Sequence, residues 1–129
     1  MAELPGMNSD STTTIKVLKE ALERFRDERN WRQFHDPKNL SEAISIEASE
    51  LLELFLWKSV ADVQRLLKSD AEYRRAIEDE LADVICFSLN FANVANIDVA
   101  QAVFKKMDSN GLKYPIKKVK GKATKYTRL

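Results

Sequence analysis

A predicted helix in the middle of the chain carries a carboxylate where its apolar side should be continuous. At about 100° per residue, Ile44, Leu51 and Leu54 lie on one stripe of this helix. Glu47 falls inside that stripe, and Glu50 lies on its flank, one turn further along. Because a buried carboxylate is costly unless it is paired or binds a metal, we expect this helix to serve a site as well as a core.

A second apolar stretch, residues 73–91, repeats the anomaly in the same phase. Glu80 lies inside its stripe and Asp83 on the flank, so they correspond to Glu47 and Glu50, 33 residues earlier. Residues i and i+3 lie on one face of a helix, and two such pairs on antiparallel neighbours can converge on one point. The sequence therefore predicts a metal site made of four carboxylates.

The expected ion follows from the ligand set. Ligands that are all oxygen select hard cations, so Mg²⁺ is predicted, with Mn²⁺ as the alternative. The single histidine of the chain disfavours a ferritin-like di-iron site, which needs two Glu-x-x-His motifs. The competing interpretation is a solvated acidic face. Glu42 and Glu53, opposite the stripe, fit that interpretation, whereas Glu47 and Glu80 do not.

Composition bounds the fold class. A chain of 129 residues with 44% hydrophobic residues, three glycines and three prolines is typical of one all-α domain. We predict a four-helix-bundle-like fold, in which residues 11–116 form the domain. Residues 1–10 are predicted to be a flexible arm, and residues 117–129 an extended basic tail.

The apolar periodicity and the capping residues predict four main helices. The expected elements are a helix from Ser11 or a neighbouring Thr to about Arg29, a second from Ser41 or one or two residues earlier to about Lys58, a short helix or ordered loop over 59–70, a third from Ser69 or Asp70 to about Asn96, and a fourth from Asp98 to Asn110-Gly111.

Charge and cysteine usage exclude several partners. The formal net charge of +1 is not that of a nucleic-acid-binding polycation, so no nucleic acid is expected. No apolar run of about 18 residues is present, so no membrane is expected either. The lone Cys86 is compatible with a reducing compartment and a cytoplasmic location. Apolar residues off the stripes are candidates for contact with another subunit: Ile46, Leu52, Leu56, Ile85 and Leu89.

A substrate is suggested by what surrounds the acids. Mg²⁺ held by protein carboxylates commonly completes its shell with phosphate oxygens. From Lys105 to Leu129 there are nine basic residues and one acidic residue, which can neutralise phosphates. Trp31 and Trp57 offer flat surfaces for a base; the alternative for Trp57 is a packed core residue at the end of the second helix. A Mg²⁺-dependent nucleotide phosphohydrolase is therefore favoured.

Several motifs in register resemble the all-α nucleoside triphosphate pyrophosphohydrolases of the MazG-like superfamily, in particular the small dCTP pyrophosphatase type. The motifs are Trp31-Arg-Gln-Phe-His-Asp-Pro-Lys-Asn-Leu40, Glu47-x-x-Glu50, Leu54-Phe-Leu-Trp-Lys58, Glu80-Leu-Ala-Asp83-Val, Lys106-Met-Asp-Ser-Asn110 and Lys113-Tyr-Pro115. The resemblance implies cleavage of a (deoxy)nucleoside triphosphate, tilted towards dCTP and modified pyrimidines, to the monophosphate and pyrophosphate, consistent with nucleotide-pool cleansing. It also implies a homo-oligomer, a dimer or a tetramer.

The resemblance assigns roles to individual residues. The four carboxylates Glu47, Glu50, Glu80 and Asp83 match the family's Mg²⁺ ligands. Positions that match phosphate contacts are Lys106, Asn110 and Tyr114, although Lys106 could equally favour its helix C-terminus. Candidate contacts to the base or the rest of the substrate are Trp31, His35, Trp57 and Phe87.

Two choices stay open at this level. Glu50 is preferred over Glu47 as the catalytic base, but the sequence does not separate a ligand from a base. Where many relatives carry an outer acidic residue and Val-Gly, this chain has Ile46 and Ala48-Ser49, which puts the number of metal ions in question. The alternative function is a non-catalytic helical module that binds nucleotides or another protein.

Overall fold

The computed structural model describes residues 8–129, and every regular element among them is helical. Six α-helices follow one another: α1 Ile15–Glu28, α2 Pro37–Glu53, α3 Val60–Ser69, α4 Ala71–Val94, α5 Val99–Lys113 and α6 Ile116–Val119. Two 3-10 turns add to them, at Arg32–Phe34 and Tyr126–Arg128. The predicted all-α class is confirmed. Across residues 8–129, none of the helices combines the length and apolar character needed to cross a membrane.

Side-chain caps explain where the helices start. The hydroxyl or carboxylate of each N-cap accepts a hydrogen bond from the backbone N–H three residues later, which satisfies a donor that the helix itself leaves unpaired. The caps are Thr14, Asp36, Ser59, Asp70 and Asp98 for α1 to α5. The predicted starts of the first, third and fourth helices agree with these caps to within a few residues.

The predicted bounds of the second helix are wrong at both ends. Asp36 is its N-cap, and Pro37 occupies the first helical position, where a proline loses no hydrogen bond. Ser41 lies inside the helix, and its hydroxyl donates to the Lys38 carbonyl at 2.7 Å. The helix stops at Glu53, so Trp57 lies outside it, in the connection to α3.

The chain divides into two compact units, the first ending at Asn96 and the second spanning Ile97–Leu129. In the first unit, α4 packs against α1, α2 and α3. The Tyr73 hydroxyl at the start of α4 donates to the Leu54 carbonyl at the end of α2, at 2.9 Å. Further along α4, Glu80 lies near Glu47 of α2. Because moving forward on α4 means moving backward on α2, the two helices are antiparallel.

The second unit contains α5, α6 and the basic end of the chain. Helix α5 continues through Gly111 to Lys113, beyond the predicted stop at Asn110-Gly111. A glycine ends a helix when it adopts positive φ, and among the described glycines only Gly121 does so. The basic end, expected to be extended, contains α6 and a 3-10 turn, in which the Tyr126 ring packs edge-on against Tyr114 at 5.8 Å.

The ends of the chain bear on the predicted organisation. Residues 1–7 of the expected N-terminal arm lie outside the described residues. Ser9 begins a turn, since its carbonyl accepts from the backbone N–H groups of Thr12 and Thr13 at 3.0 and 2.9 Å. The division into an arm, a domain over 11–116 and a tail stays a prediction.

Candidate metal centre and adjoining cavity

Three of the four predicted carboxylates converge between α2 and α4. Glu47, Glu80 and Asp83 each place one carboxylate oxygen within 4.8 Å of the others; we call this group the acidic cluster. The antiparallel register produces it, because the inward face of α2 at Glu47 meets the inward face of α4 at Glu80. Glu50 is exposed and is not part of this trio.

Two oxygens of the acidic cluster have no hydrogen-bond partner. Glu47 Oε2 and Glu80 Oε2 are both inaccessible to solvent and unbonded within residues 8–129. Buried polar atoms in proteins nearly always have a partner, so two such acceptors in one carboxylate cluster fit a site that takes a cation. Carboxylate oxygens that lie within 4.8 Å of one another can bind a single cation together.

Burial and mutual repulsion raise the pKa of two acids in the cluster. The pKa of Glu47 lies above its usual value, first because its carboxyl is desolvated and then because Glu50, Asp83 and Glu80 lie nearby. Desolvation also raises the pKa of Glu80, followed by the charges of Glu50 and Asp83. Glu50 therefore lies close enough to act on both residues, although it is outside the trio. A bound cation would remove the repulsion.

A cavity of about 380 Å³ adjoins the acidic cluster through Asp83, a volume within the range of small-molecule sites. We call it the α1–α4 cavity, because residues of these two helices and of the connection after α1 form its wall. Its apolar lining is Leu22, Phe25, Trp31, Cys86 and Phe87. Its polar lining is Arg26, His35, Asp83 and Asn90.

Three predicted substrate contacts meet in the α1–α4 cavity: Trp31, His35 and Phe87. The Trp31 ring is edge-on to Phe25, with centroids 6.0 Å apart, so two rings of the cavity wall pack against each other. His35 Nδ1 is buried without a partner in the part of the chain that the structure describes. Burial, and then the charge of Arg26, lower the pKa of His35, so its imidazole is neutral at pH 7.

The structure places the remaining predicted contacts elsewhere. Trp57 is 94% exposed and has φ of 60°, so the interpretation of Trp57 as a core residue is wrong. A bulky residue rarely adopts positive φ, which costs about 1–2 kcal/mol. Lys106, Asn110 and Tyr114 all belong to the second unit, where Lys106 and Asn110 are exposed and Tyr114 is half-buried.

Two polar residues of the cavity wall are missing from the sequence prediction. Arg26 is 4% exposed, and its Nε donates to Asp27 Oδ1 at 2.8 Å. Hydrogen bonds from Arg26 and Arg32 lower the pKa of Asp27 to about 2. Asn90 is 6% exposed. A signal for Arg26 existed, because it lies one turn after Leu22 in the apolar stripe of α1 and interrupts it as Glu47 interrupts α2.

The chain is similar to a protein-family model and to several known proteins. The family model described as the MazG-like family matches residues 43–129. The chain is also similar to dCTP pyrophosphatase 1 of Rattus norvegicus, with 39% identity over 90% of this chain and 68% of the relative. The Homo sapiens dCTP pyrophosphatase 1 is 36% identical over 97% of this chain and 74% of its own length.

A solved structure is similar as well. The crystal structure of a pyrophosphatase from Archaeoglobus fulgidus superposes with a TM-score of 0.72 at 40% sequence identity. The match covers 78% of this chain and 92% of that one. The similarity therefore extends over most of both molecules, at an identity high enough to reflect common descent as well as a common fold.

Proposed function

Because the chain belongs to the MazG-like family and is a nucleoside triphosphate pyrophosphatase, we propose that it hydrolyses dCTP or modified pyrimidine deoxynucleoside triphosphates with Mg²⁺. The products are the monophosphate and pyrophosphate, which fits a role in cleansing the nucleotide pool. One observation carries the proposal: the acidic cluster holds unmatched oxygens and shares Asp83 with a cavity of about 380 Å³ that is lined by aromatic rings.

In this proposal, Glu47, Glu80 and Asp83 hold the cation, with Glu50 beside them. Carboxylate oxygens suit Mg²⁺, and Mn²⁺ is the alternative. When bound, the ion supplies positive charge that neutralises the phosphates as the anhydride bond breaks. The protein's own contribution is to fix the carboxylates before substrate arrives, at the expense of the repulsion that raises the pKa of Glu47 and Glu80.

Glu50 is the proposed catalytic base, ahead of Glu47. It is exposed and lines a shallow groove with Ser45 and Ser49, so water reaches its carboxylate. Glu47 is half-buried and belongs to the trio, which favours a ligand role. A base must be within hydrogen-bond reach of the water that it activates, and the exposed position of Glu50 meets that need.

The base of the nucleotide is proposed to occupy the α1–α4 cavity. Trp31 and Phe87 offer ring faces for stacking, and His35 supplies a neutral donor or acceptor. Trp57, exposed and held at positive φ, is proposed as a further stacking surface. Lys106, Asn110 and Tyr114 of the second unit are proposed to contact the phosphates, since Lys106 and Asn110 are accessible.

We propose in addition that the protein is a homo-oligomer, a dimer or a tetramer. In residues 8–129 only Leu40, Leu89 and Ala92 are buried apolar side chains, which is a small core for a chain of this length. Of the apolar residues expected to face another subunit, Ile46, Leu52, Leu56 and Ile85 are exposed. Leu89 is buried, so its assignment to that surface is wrong. Light scattering after gel filtration measures the mass directly, and a monomer at micromolar concentration would contradict this proposal.

The function is tested by incubating the protein with Mg²⁺ and a panel of nucleoside triphosphates, then separating the products by chromatography. We expect pyrophosphate and monophosphate in equal amounts, with dCTP among the preferred substrates. Asp83→Asn and Glu50→Gln are expected to abolish turnover with the helical circular dichroism retained. Glu78→Gln is the control, because Glu78 is exposed on the same helix and pairs only with Arg74 at 2.9 Å among the described residues.

The outcomes separate the alternatives. Wild-type rates in Asp83→Asn would overturn the site assignment. Release of inorganic phosphate in place of pyrophosphate would overturn the proposed reaction. Nucleotide binding without any turnover would favour the non-catalytic module.

A further inference from the structure

Asn90, one turn before the end of α4, has an unmatched acceptor inside the α1–α4 cavity. Its side chain is 6% exposed and lines the cavity. Its Oδ1 is buried without a hydrogen-bond partner in the described part of the chain. A buried carboxamide oxygen nearly always accepts a hydrogen bond, so the structure lacks a donor at this position.

Within residues 8–129 no group supplies that donor. Arg26, the buried cation of the same cavity, donates its Nε to Asp27 and leaves Asn90 Oδ1 unpaired. Asn93, three residues further along α4, provides a useful contrast. Its Nδ2 donates to the Lys19 carbonyl at 3.0 Å, so the packing of α1 against α4 gives this amide group a partner within the protein.

A nucleobase can supply the missing donor. Cytosine carries an exocyclic amino group at the ring position where uracil and thymine carry a carbonyl oxygen. An amino group would donate to Oδ1, whereas a carbonyl would place a second acceptor against this buried oxygen. Arg26 offers only donors, which suit the ring carbonyl that cytosine and uracil share, so Arg26 does not distinguish the two bases.

We propose that Asn90 is a specificity-determining residue, whose carboxamide oxygen accepts a hydrogen bond from the exocyclic amino group of a cytosine-type base. The proposal rests on the proposed function in one respect, namely that the base occupies the α1–α4 cavity. It goes further by assigning the choice between amino and carbonyl pyrimidines to one side chain of α4.

The first test compares kcat/KM for dCTP and dUTP, which differ only at that edge of the base. The wild type is expected to prefer dCTP. Asn90→Leu, similar in size but without an acceptor, is expected to lower the dCTP-to-dUTP ratio about tenfold, which corresponds to about 1.4 kcal/mol. Asn90→Asp keeps an acceptor oxygen and is expected to keep the preference. Asn93→Leu, the matched control on α4, is expected to leave the ratio unchanged.

Three results would overturn the proposal. A wild type that prefers dUTP contradicts it. An equal loss on both substrates in Asn90→Leu would make Asn90 a purely structural residue. Loss of the preference in Asn90→Asp would show that the amide acts through its Nδ2 donor.

A second test does not depend on turnover. The thermal unfolding midpoint is measured without nucleotide, with dCMP and with dUMP. Asn90→Leu removes an unmatched buried acceptor, so the nucleotide-free midpoint is expected to stay level or rise, while the upward shift caused by dCMP is lost. Asn93→Leu, which breaks a satisfied bond, is expected to lower the nucleotide-free midpoint.

If no triphosphate is hydrolysed but dCMP still stabilises the wild type through Asn90, the proposed function fails and this inference stands. If dCMP and dUMP raised the unfolding midpoint of the wild type equally, the role of Asn90 would be contradicted and the proposed function would still stand.

Discussion

The acidic cluster lies between α2 and α4, and the α1–α4 cavity is lined by α1, α4 and the connection after α1, so the two regions share helix α4. Judged over residues 8–129, each contains two buried atoms without hydrogen-bond partners: Glu47 Oε2 and Glu80 Oε2 in the cluster, His35 Nδ1 and Asn90 Oδ1 in the cavity. They differ in charge. The cluster gathers carboxylates with no basic residue among them, whereas the cavity's one cation, Arg26, is already balanced by Asp27.

This difference in charge determines what kind of ligand each region would bind. Like charges in a poorly solvated place repel one another, so the cluster is stabilised by a cation and destabilised without one. The cavity has one carboxylate, Asp83, at its border with the cluster, and the rest of its wall is uncharged or paired, so a ligand there would be held mainly by hydrogen bonds and ring contacts. Asp83 belongs to both regions, so the proposed cation site and the proposed base site adjoin each other.

The largest effect is expected from Glu47→Gln in the cluster. The variant should lose pyrophosphohydrolase activity by about two orders of magnitude or more, because one charged ligand is gone. The metal-free variant should nevertheless be more stable than the wild type at pH 7, since one of the repelling carboxylates is removed. Activity assays and urea unfolding in EDTA measure the two effects. Glu42→Gln, an exposed partner of Lys38 on the same helix, is the control, and a parallel fall of activity and stability in Glu47→Gln would refute the charge argument.

The pH dependence of stability should separate the two regions by sign. The folded-state pKa of Glu47 and Glu80 is raised, so the two residues add to the free energy of unfolding below pH 4.5. This stabilisation is lost as pH rises through the folded-state pKa. The pKa of His35 is lowered, so its contribution to the free energy of unfolding is fully present above pH 6.5 and is lost as pH falls through the folded-state pKa.

Urea unfolding in EDTA across this pH range measures both contributions. Glu80→Gln should flatten the loss on the alkaline side, and His35→Gln should flatten the loss on the acid side. Saturating Mg²⁺ should remove the first effect and leave the second. A wild-type profile in EDTA that Glu80→Gln leaves unaltered would contradict the repulsion inferred for the cluster.

The two tryptophans test whether the cavity wall is built independently of the substrate. Trp31→Ala should cost about 1 kcal/mol of unfolding free energy, because the edge-on contact with Phe25 is lost. Trp57→Ala should cost none, since the ring is 94% exposed. Both variants should raise KM for dCTP if both rings stack on the base. Unfolding curves and steady-state kinetics measure this, and an unchanged KM in Trp57→Ala would remove it from the substrate site.

The sequence predicted the helical class and the convergence of α2 and α4 for a local reason. Apolar periodicity is a property of each helix, and the shared phase of Glu47 and Glu80 determines which faces meet. The sequence was less informative where distant contacts decide. Helix α2 ends at Glu53, where the Tyr73 hydroxyl binds the Leu54 carbonyl 19 residues away, and periodicity alone carried the predicted helix on to Lys58.

The cavity was harder to predict than the cluster. Its wall combines α1, α4 and the connection between α1 and α2, so no single pattern reveals it. Arg26 could have been found by the criterion that found Glu47. Asn90 is a neutral residue near the end of a helix, and only its burial without a partner makes it notable.

The smallest expected effect uses Cys86, which lines the cavity one turn after Asp83. Burial raises the pKa of its thiol, and the charge of Asp83 adds to that shift. A cation at the cluster should offset the charge of Asp83, lower the thiol pKa and speed reaction with a disulfide reagent by about two- to threefold. A nucleoside monophosphate in the cavity should instead cover the sulfur and slow the reaction.

Asp83→Asn should react faster than the wild type without metal and respond little to Mg²⁺. The reaction rate is followed by the chromophore that the disulfide reagent releases. We expect the cation to raise the rate of the Cys86 thiol and the nucleotide to lower it. If both ligands changed the rate in the same direction, the cluster and the cavity would not be separate regions.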